Sequence, residues 1–216
     1  MEIPIRIIGF KSSLVSLPDI LFKAGAILSG YSVYVIRSRP YKAAVSLLSL
    51  ALLIWMTFRG YELWLQKLNF GTFTGRTEQV VDHGILFQDA DGGDVALGSF
   101  NGKYLLLDFW SSTCGVCIKQ FPEVQKIYET YKNRPDVEVF SLFCRRRKGE
   151  TARTGCDILL ERGYSFPVMS IDGDTAQEKL GITGFPTILI FDPHGTLVFR
   201  GNLSQAEKHL TKLIDN

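Results

Sequence analysis

The chain has 216 residues, a length that accommodates one domain or two small ones. Hydrophobic residues make up 46% of it and charged residues 21%, a composition that excludes a disordered protein. The formal net charge of +2 gives no indication of nucleic acid as a partner, and four cysteines are too few for a disulfide-stapled scaffold of this length.

Residues 1–70 are predicted to form a membrane anchor region. The segment 43–58 is uncharged, and as a helix it would span about 24 Å of a hydrocarbon core about 30 Å thick. Aromatic and basic residues flank it, as they do at membrane–water interfaces, so we expect the main span here, in contact with membrane lipid. A weaker apolar segment at 14–36 is interrupted by Asp19 and Lys23. It can be a second span, an interfacial helix or a soluble segment.

The charges before the main span predict its orientation. The segment RSRPYK at 37–42 carries three basic residues, which the positive-inside tendency places in the cytoplasm. Residues from 60 onward would then lie on the extracytoplasmic side of the cell membrane, whether the anchor passes once or twice. A cleavable signal peptide is a poorer interpretation, because the apolar run begins far from Met1 and no small-x-small site follows it.

A small, turn-prone segment at 71–79 is predicted to be a linker, and residues 80–216 a globular domain. The predicted strands lie at 85–88, 95–97, 104–110, 137–143, 166–171, 187–191 and 196–199, and the predicted helices at 114–132, 150–162, 175–180 and 204–214. The first two strands form a hairpin, and Thr113 is expected to cap the first helix. This alternation predicts an α/β fold with a central sheet flanked by helices.

Two cysteines lie close together in the motif FWSSTCGVCIKQFP. Cys114 and Cys117 could be a metal clip, a structural disulfide or a redox-active pair. Zinc needs four ligands, and Cys144 and Cys156 have eleven residues between them, so we expect no metal. A structural disulfide in so small a ring would add little stability. The pair follows a predicted buried strand and opens a helix, where free N–H groups favour a thiolate, and this favours the redox interpretation.

Three segments of the chain resemble the thioredoxin superfamily. LLLDFWSSTCGVCIKQFP is similar to its active-site segment, GITGFPTILIF to its second signature and FRGNLS to its closing segment. The N-terminal hairpin and the extra helix and strand at 150–171 resemble the membrane-anchored TlpA/ResA-like branch. The resemblance covers about residues 80–216 and implies a thioredoxin-like fold, a mixed sheet flanked by helices.

The resemblance also implies roles for the site residues. Cys114 would be the attacking nucleophile and Cys117 the resolving thiol, which gives a thiol-disulfide oxidoreductase acting on protein disulfides without a bound cofactor. Trp110 and the positions of Thr113, Phe185 and Pro186 would contact the substrate, with a cis bond before the proline and substrate pairing to the Phe185 backbone. The usual aromatic before the first cysteine is Thr113 here.

Asp108 stands on an otherwise apolar strand, where an unpaired carboxylate would be costly. We expect it to be partly neutral and able to take the proton of Cys117. The alternative is a carboxylate satisfied by local hydrogen bonds at a strand end.

Two other functions remain open. Ser111 and Cys114 resemble the hydroxyl-x-x-Cys arrangement of peroxiredoxins, although Leu107 stands at that family's upstream proline. A copper-binding or chaperone role on the same fold is the other alternative. For the oxidoreductase, the resemblance implies a membrane thiol transporter as electron donor. The sequence does not fix the direction of electron flow.

The state of the remaining two cysteines can be predicted from their positions in the sequence and from the compartment in which they would lie. Cys144 ends a predicted strand and is followed by the basic run 145–148, which would make that rim of the site positively charged and suited to acidic substrate surfaces. Outside the cytoplasm we expect a Cys144–Cys156 disulfide. The alternatives are two unpaired, partly buried thiols or an electron relay to the active pair.

Overall fold

The computed structural model describes residues 17–215, which divide between two compact units that meet at Thr74 and Gly75. The first unit is helical. Its helix α1 is Leu17–Val35, and α2 (Arg39–Trp55) continues through one π-helical turn, Met56–Gly60, into α3 (Tyr61–Phe70).

The helix that runs from Arg39 to Phe70 is long and apolar enough to cross a membrane. It has 32 residues, and its most apolar 18-residue window has a mean hydropathy of 1.6 and is not buried in the protein. The predicted span 43–58 lies inside it. Of the weaker candidate at 14–36, residues 14–16 lie outside the described residues and the rest falls mainly in α1. The Ser29 hydroxyl donates to the Ser49 hydroxyl at 2.5 Å and so joins α1 to α2.

The second unit is an eight-stranded mixed sheet with helices on both faces, which confirms the predicted α/β fold although only seven strands were predicted. Its elements are β1 (Arg76–Val80), β2 (Leu86–Gln88), β3 (Asp94–Ala96), a 3₁₀ turn (Leu97–Phe100), β4 (Tyr104–Trp110), α4 (Gly115–Tyr131), β5 (Val137–Arg145), α5 (Ala152–Glu161), β6 (Val168–Asp172), α6 (Gly173–Leu180), β7 (Thr187–Phe191), β8 (Thr196–Gly201) and α7 (Leu203–Ile214). The strand order is β1-β8-β7-β4-β5-β6-β2-β3. Only the β4–β5 and β5–β6 pairs are parallel, as their helical crossovers require.

The helices divide the core between the two faces of the sheet. Helices α4, α5 and α7 bury Phe121, Leu159 and Leu210 on one face, which we call the α4 face. Helix α6 buries Ala176 and Leu180 on the other, the α6 face. Strand β4 contributes side chains to the core on both faces of the sheet, because successive side chains on a strand point to opposite faces. Any polar group on β4 is therefore covered by a helix.

The predicted linker at 71–79 is wrong in its second half. Strand β1 pairs antiparallel with β8 at the edge of the sheet, so the domain begins at Gly75. Gly75 has φ +81°, and a Cβ there would collide with the Phe199 ring, which explains why the chain enters the domain at a glycine. An edge strand with a polar sequence and mostly exposed side chains carries little of the pattern that predicts strands.

Candidate functional site

The cysteine pair lies at the junction between β4 and α4. Cys114 is the N-cap of α4 and Cys117 lies in its first turn, and the two form a disulfide with 5.3 Å between their Cα atoms. The Cys117 N–H points at the Cys114 Sγ, 3.2 Å away. Thr113, the predicted cap, is exposed and lies just before the capping position. The sulfur of Cys114 therefore takes the place of a capping oxygen, at the positive end of the helix dipole.

The two sulfurs differ in access. Cys114 is partly exposed and its neighbour Val116 is 61% exposed, whereas Cys117 is 2% exposed. An incoming group can reach only Cys114 without a rearrangement of the helix. The site is thus asymmetric in the way that a nucleophile and a resolving thiol require.

Asp108 is buried beneath the helix that carries the pair. It alternates on β4 with Leu106 and Trp110, which both belong to the α4 face, and it is 3% exposed. Burial raises the pKa of Asp108 from 3.8 to about 7. In the register of the sheet it stands between Ser141 on β5 and Ile188 on β7. The carboxyl therefore shares a covered layer with Cys117 and changes protonation near neutral pH.

Trp110 does not line the surface of the site, contrary to the expectation that it contacts substrate. It is completely buried, with its ring 5.0 Å from that of Phe121 and 4.9 Å from that of Phe143. Through these aromatic contacts Trp110 packs beneath the first turn of α4, in the same core cluster as Cys117. Its role in the structure is to support the cysteine pair.

The loop before β7 is the second half of the site. The peptide bond between Phe185 and Pro186 is cis, as the resemblance implies. Both residues are half-buried, and Phe185 packs against the same cluster as Cys114. The Thr187 hydroxyl donates to the Gly184 carbonyl at 2.8 Å and helps to hold the turn. The turn thus presents a half-exposed aromatic residue and a proline, and the aromatic residue packs against the same core cluster as Cys114.

Glu150 belongs to this neighbourhood and was not singled out in the sequence. One of its carboxylate oxygens accepts from the Ser112 hydroxyl at 2.5 Å, and the other accepts from the backbone N–H groups of Arg146 and Arg147 at 2.8 and 3.0 Å. Partial burial alone would raise the pKa of Glu150, but these hydrogen bonds outweigh it and hold the pKa below its usual value. Glu150 therefore ties the active-site loop to the loop that follows β5.

The predicted Cys144–Cys156 disulfide is wrong, since both thiols are free. Cys144 belongs to the α6 face of the sheet, while its neighbour Phe143 points to the α4 face and contacts Gly155 on α5. Helix α5 therefore lies across the sheet from the Cys144 side chain, so Cys156 cannot reach it. Burial raises the pKa of Cys144 to about 12 and also raises that of Cys156.

Among residues 17–215, no three or more His, Cys, Asp and Glu side chains are grouped closely enough to hold a metal ion.

Comparison with known proteins provides evidence that is independent of the site geometry. A family model described as thioredoxin-like matches residues 101–197, which include the cysteine pair and Pro186. The thiol-disulfide oxidoreductase ResA of Halalkalibacterium halodurans is 28% identical over 121 residues, covering 56% of this chain and 65% of that protein, just under two thirds of its length. A shorter match, 32% identical over 86 residues, covers 40% of this chain and 36% of an Arabidopsis thaliana protein with a glutathione peroxidase name.

Among solved structures, the thioredoxin domain of a thiol-disulfide oxidoreductase from Bacteroides vulgatus is similar to this chain. It is 26% identical with a TM-score of 0.53, and the match covers 63% of this chain and 97% of that one.

Proposed function

Since this chain carries a thioredoxin-like domain of the kind found in thiol-disulfide oxidoreductases, we propose that it is a membrane-anchored enzyme that reduces protein disulfides outside the cytoplasm. One observation carries the proposal: a half-exposed cysteine caps a helix and is bonded to a buried cysteine one turn further along. That arrangement offers one sulfur to a substrate and keeps the other for intramolecular attack.

The first step belongs to Cys114. With the pair reduced, its thiolate attacks one sulfur of a substrate disulfide. A new S–S bond forms between protein and substrate, the substrate's own S–S bond breaks, and the released sulfur leaves as a thiolate that takes a proton from solvent. The N–H groups at the start of α4 stabilise the attacking thiolate, as the contact from the Cys117 N–H to the Cys114 Sγ illustrates.

The second step belongs to Cys117 and Asp108. Cys117 must lose its proton before it can attack the Cys114 Sγ, and it is shielded from solvent. Asp108 lies in the same covered layer and titrates at about 7, so near neutral pH a large fraction of it can accept that proton. The attack re-forms the Cys114–Cys117 disulfide and breaks the bond between Cys114 and the substrate, whose sulfur leaves as a thiolate and takes a proton from solvent. Two electrons pass from the dithiol to the substrate, so the dithiol itself is the carrier and no bound cofactor is required.

Substrate would be held by the turn before β7 and by Thr113. The half-exposed Phe185 and Pro186 form the cis turn before β7, Phe185 packs against the same core cluster as Cys114, and an extended substrate segment can pair with the Phe185 backbone. Thr113 is exposed next to the reactive sulfur and can contact the same segment.

The location and the direction of electron flow complete the proposal. The apolar helix Arg39–Phe70 anchors the protein in the membrane, and the basic residues at 37–42 favour an extracytoplasmic domain. Regeneration of the dithiol there requires electrons from the cytoplasm, so a membrane thiol transporter is the donor we propose.

A single-turnover assay tests the function. The full chain in neutral detergent is reduced, freed of reductant and mixed with insulin. We expect two insulin thiols to appear for each protein molecule oxidised, and none with Cys114→Ser. Hydrogen peroxide replaces insulin in a parallel reaction, because the match to a peroxidase-named protein makes thiol peroxidase the second candidate. Oxidation by peroxide with no transfer to insulin would reject the proposal.

A further inference from the structure

A basic loop is tied through Glu150 to Ser112, in the segment that leads to the cysteine pair. The run from Arg145 to Lys148 follows β5, and its last three residues are exposed. Arg145 is half-buried and its guanidinium donates to the Gln88 side chain, so it is used within the fold. The exposed positive charges available to a partner are therefore those of Arg146, Arg147 and Lys148, which we call the basic rim.

The basic rim is exposed to solvent, but hydrogen bonds and packing hold its loop in a fixed position. The carboxylate of Glu150 accepts from the N–H groups of Arg146 and Arg147 and from the Ser112 hydroxyl, and Ser112 stands two residues before Cys114. On the other side, the Arg146 side chain packs against Gly173, where an added Cβ would come within 2.8 Å of the Arg146 Cγ. The loop therefore has a fixed position relative to the reactive sulfur.

Arg146 reaches the proposed substrate-binding turn. Its guanidinium carbon lies 5.5 Å from the centre of the Phe185 ring, within the range of a cation–π contact. The contact involves the face of the Phe185 ring, and the N–H groups of the guanidinium can still donate to a carboxylate. A positive charge is thus fixed at the point where a substrate strand would run.

The neighbouring acids do not neutralise the basic rim. Glu150 has both oxygens engaged by the hydrogen bonds given above, and it carries one negative charge against three positive ones. The pKa of Asp172, the N-cap of α6, is lowered chiefly by the hydrogen bond from the Thr175 N–H and also by the charge of Arg145, which offsets the negative charge of Asp172. The field at the entrance of the site is therefore positive.

We infer that the basic rim selects protein disulfides whose reacting cysteine is flanked by acidic residues. This inference rests on the proposed function and names its substrate class. Carboxylates on a segment paired with the Phe185 backbone would meet the Arg146 guanidinium first, with Arg147 and Lys148 attracting the approaching segment. Electrostatic complementarity of this kind acts on the association step and weakens with salt.

The test compares two disulfide-linked peptides that differ only in the three residues flanking each cysteine, which are Glu in one and Gln in the other. Single-turnover rate constants are measured by acid quench with the reduced full chain in neutral detergent. The ratio of the two rate constants reports selectivity alone, because the attacking thiol is the same in both reactions. We expect the acidic peptide to react about tenfold faster at low salt and the ratio to approach one at about 1 M salt, where the Debye length is about 3 Å.

Variants of the basic rim show whether the preference for the acidic peptide depends on the charge or on the shape of these side chains. Changing all three residues of the basic rim to Gln should bring the ratio close to one, and Arg146→Lys should retain part of the preference because it keeps the charge. Lys208→Gln removes one exposed charge from α7 and should leave the ratio as in the wild type.

A ratio near one in the wild type at low salt, or a preference that survives loss of the basic rim, overturns the inference while leaving the proposed function intact. A ratio near one together with rim-dependent binding to anionic phospholipid vesicles overturns it in favour of a membrane contact. Absence of any peptide reduction by the wild type overturns the proposed function and the inference together.

Discussion

Replacing Asp108 by asparagine should change how the stability of the domain depends on pH. The folded protein holds this carboxyl at a pKa of about 7, whereas in the unfolded chain it is near 3.8. Between these values the unfolded chain has released the proton and the folded protein retains it, so stability falls as pH rises through this window. The contribution is fully present below about pH 4 and is lost above about pH 7. Asparagine has the same shape and no proton to lose.

The magnitude follows from the two pKa values. The interval from 3.8 to about 7, at about 1.4 kcal/mol per pH unit, corresponds to about 4 kcal/mol. Relative to the wild type, the Asp108→Asn variant should therefore gain about 4 kcal/mol in free energy of unfolding on going from pH 4 to pH 8. Groups that titrate alike in both proteins cancel in this difference.

The assay is urea unfolding of the oxidised domain, residues 75–216, which contains its own core and a single tryptophan, Trp110. Unfolding free energies of wild type and variant are compared at several pH values between 4 and 8. Asp157→Asn, at an exposed position on α5, is the matched control and should shift stability by less than about 0.5 kcal/mol at every pH. Parallel pH curves for the wild type and Asp108→Asn would refute the reasoning, because the carboxyl would then titrate alike in the folded and unfolded states.

Three further predictions concern the cysteines and the anchor. Cys117→Ser should accumulate mixed disulfides with protein substrates, visible on non-reducing gels, because the resolving thiol is lost; release of substrate at the wild-type rate would contradict its role. In the native oxidised protein a maleimide should label Cys156 and spare Cys144, whose thiol is buried with a pKa raised to about 12, and denaturation should expose both; fewer than two free thiols after denaturation would mean a second disulfide. Protease added to spheroplasts should digest the domain, because the basic residues at 37–42 favour the cytoplasm; protection equal to that of a cytosolic marker would reverse the topology.

Much of the domain could be predicted because its central strands are covered on both faces. Strands β4 and β7 were predicted with the bounds they have, 104–110 and 187–191, since each is a continuous apolar run closed by turn residues. The edge strand β1 escaped prediction for the opposite reason. Its sequence RTEQV is mostly exposed and pairs on one side only, so burial leaves little mark on it.

The site was predictable where its residues are close in sequence. The pair Cys114 and Cys117 carries its own spacing and its own helix. The contact between Ser112 and Glu150 spans 38 residues and depends on how the loop after β5 turns back, which no local pattern encodes. The prediction of a Cys144–Cys156 disulfide was wrong for a similar reason. Nearness in sequence favoured it, but the outcome depended on which face of the sheet α5 covers.

The two cysteines experience opposite environments, and this asymmetry suits the proposed roles, in which one sulfur attacks a substrate and the other releases it. Cys114 caps α4, where the N–H groups at the start of the helix stabilise a thiolate. Cys117 has Trp110 and Asp108 in its covered layer, an environment that disfavours any buried charge. The environment thus favours a thiolate at Cys114, the sulfur that would meet the substrate, and a neutral thiol at Cys117, the sulfur that would react second. In the mechanism that we propose, a proton passes from Cys117 to Asp108 only after the mixed disulfide has formed, because only then does Cys117 have a disulfide to attack.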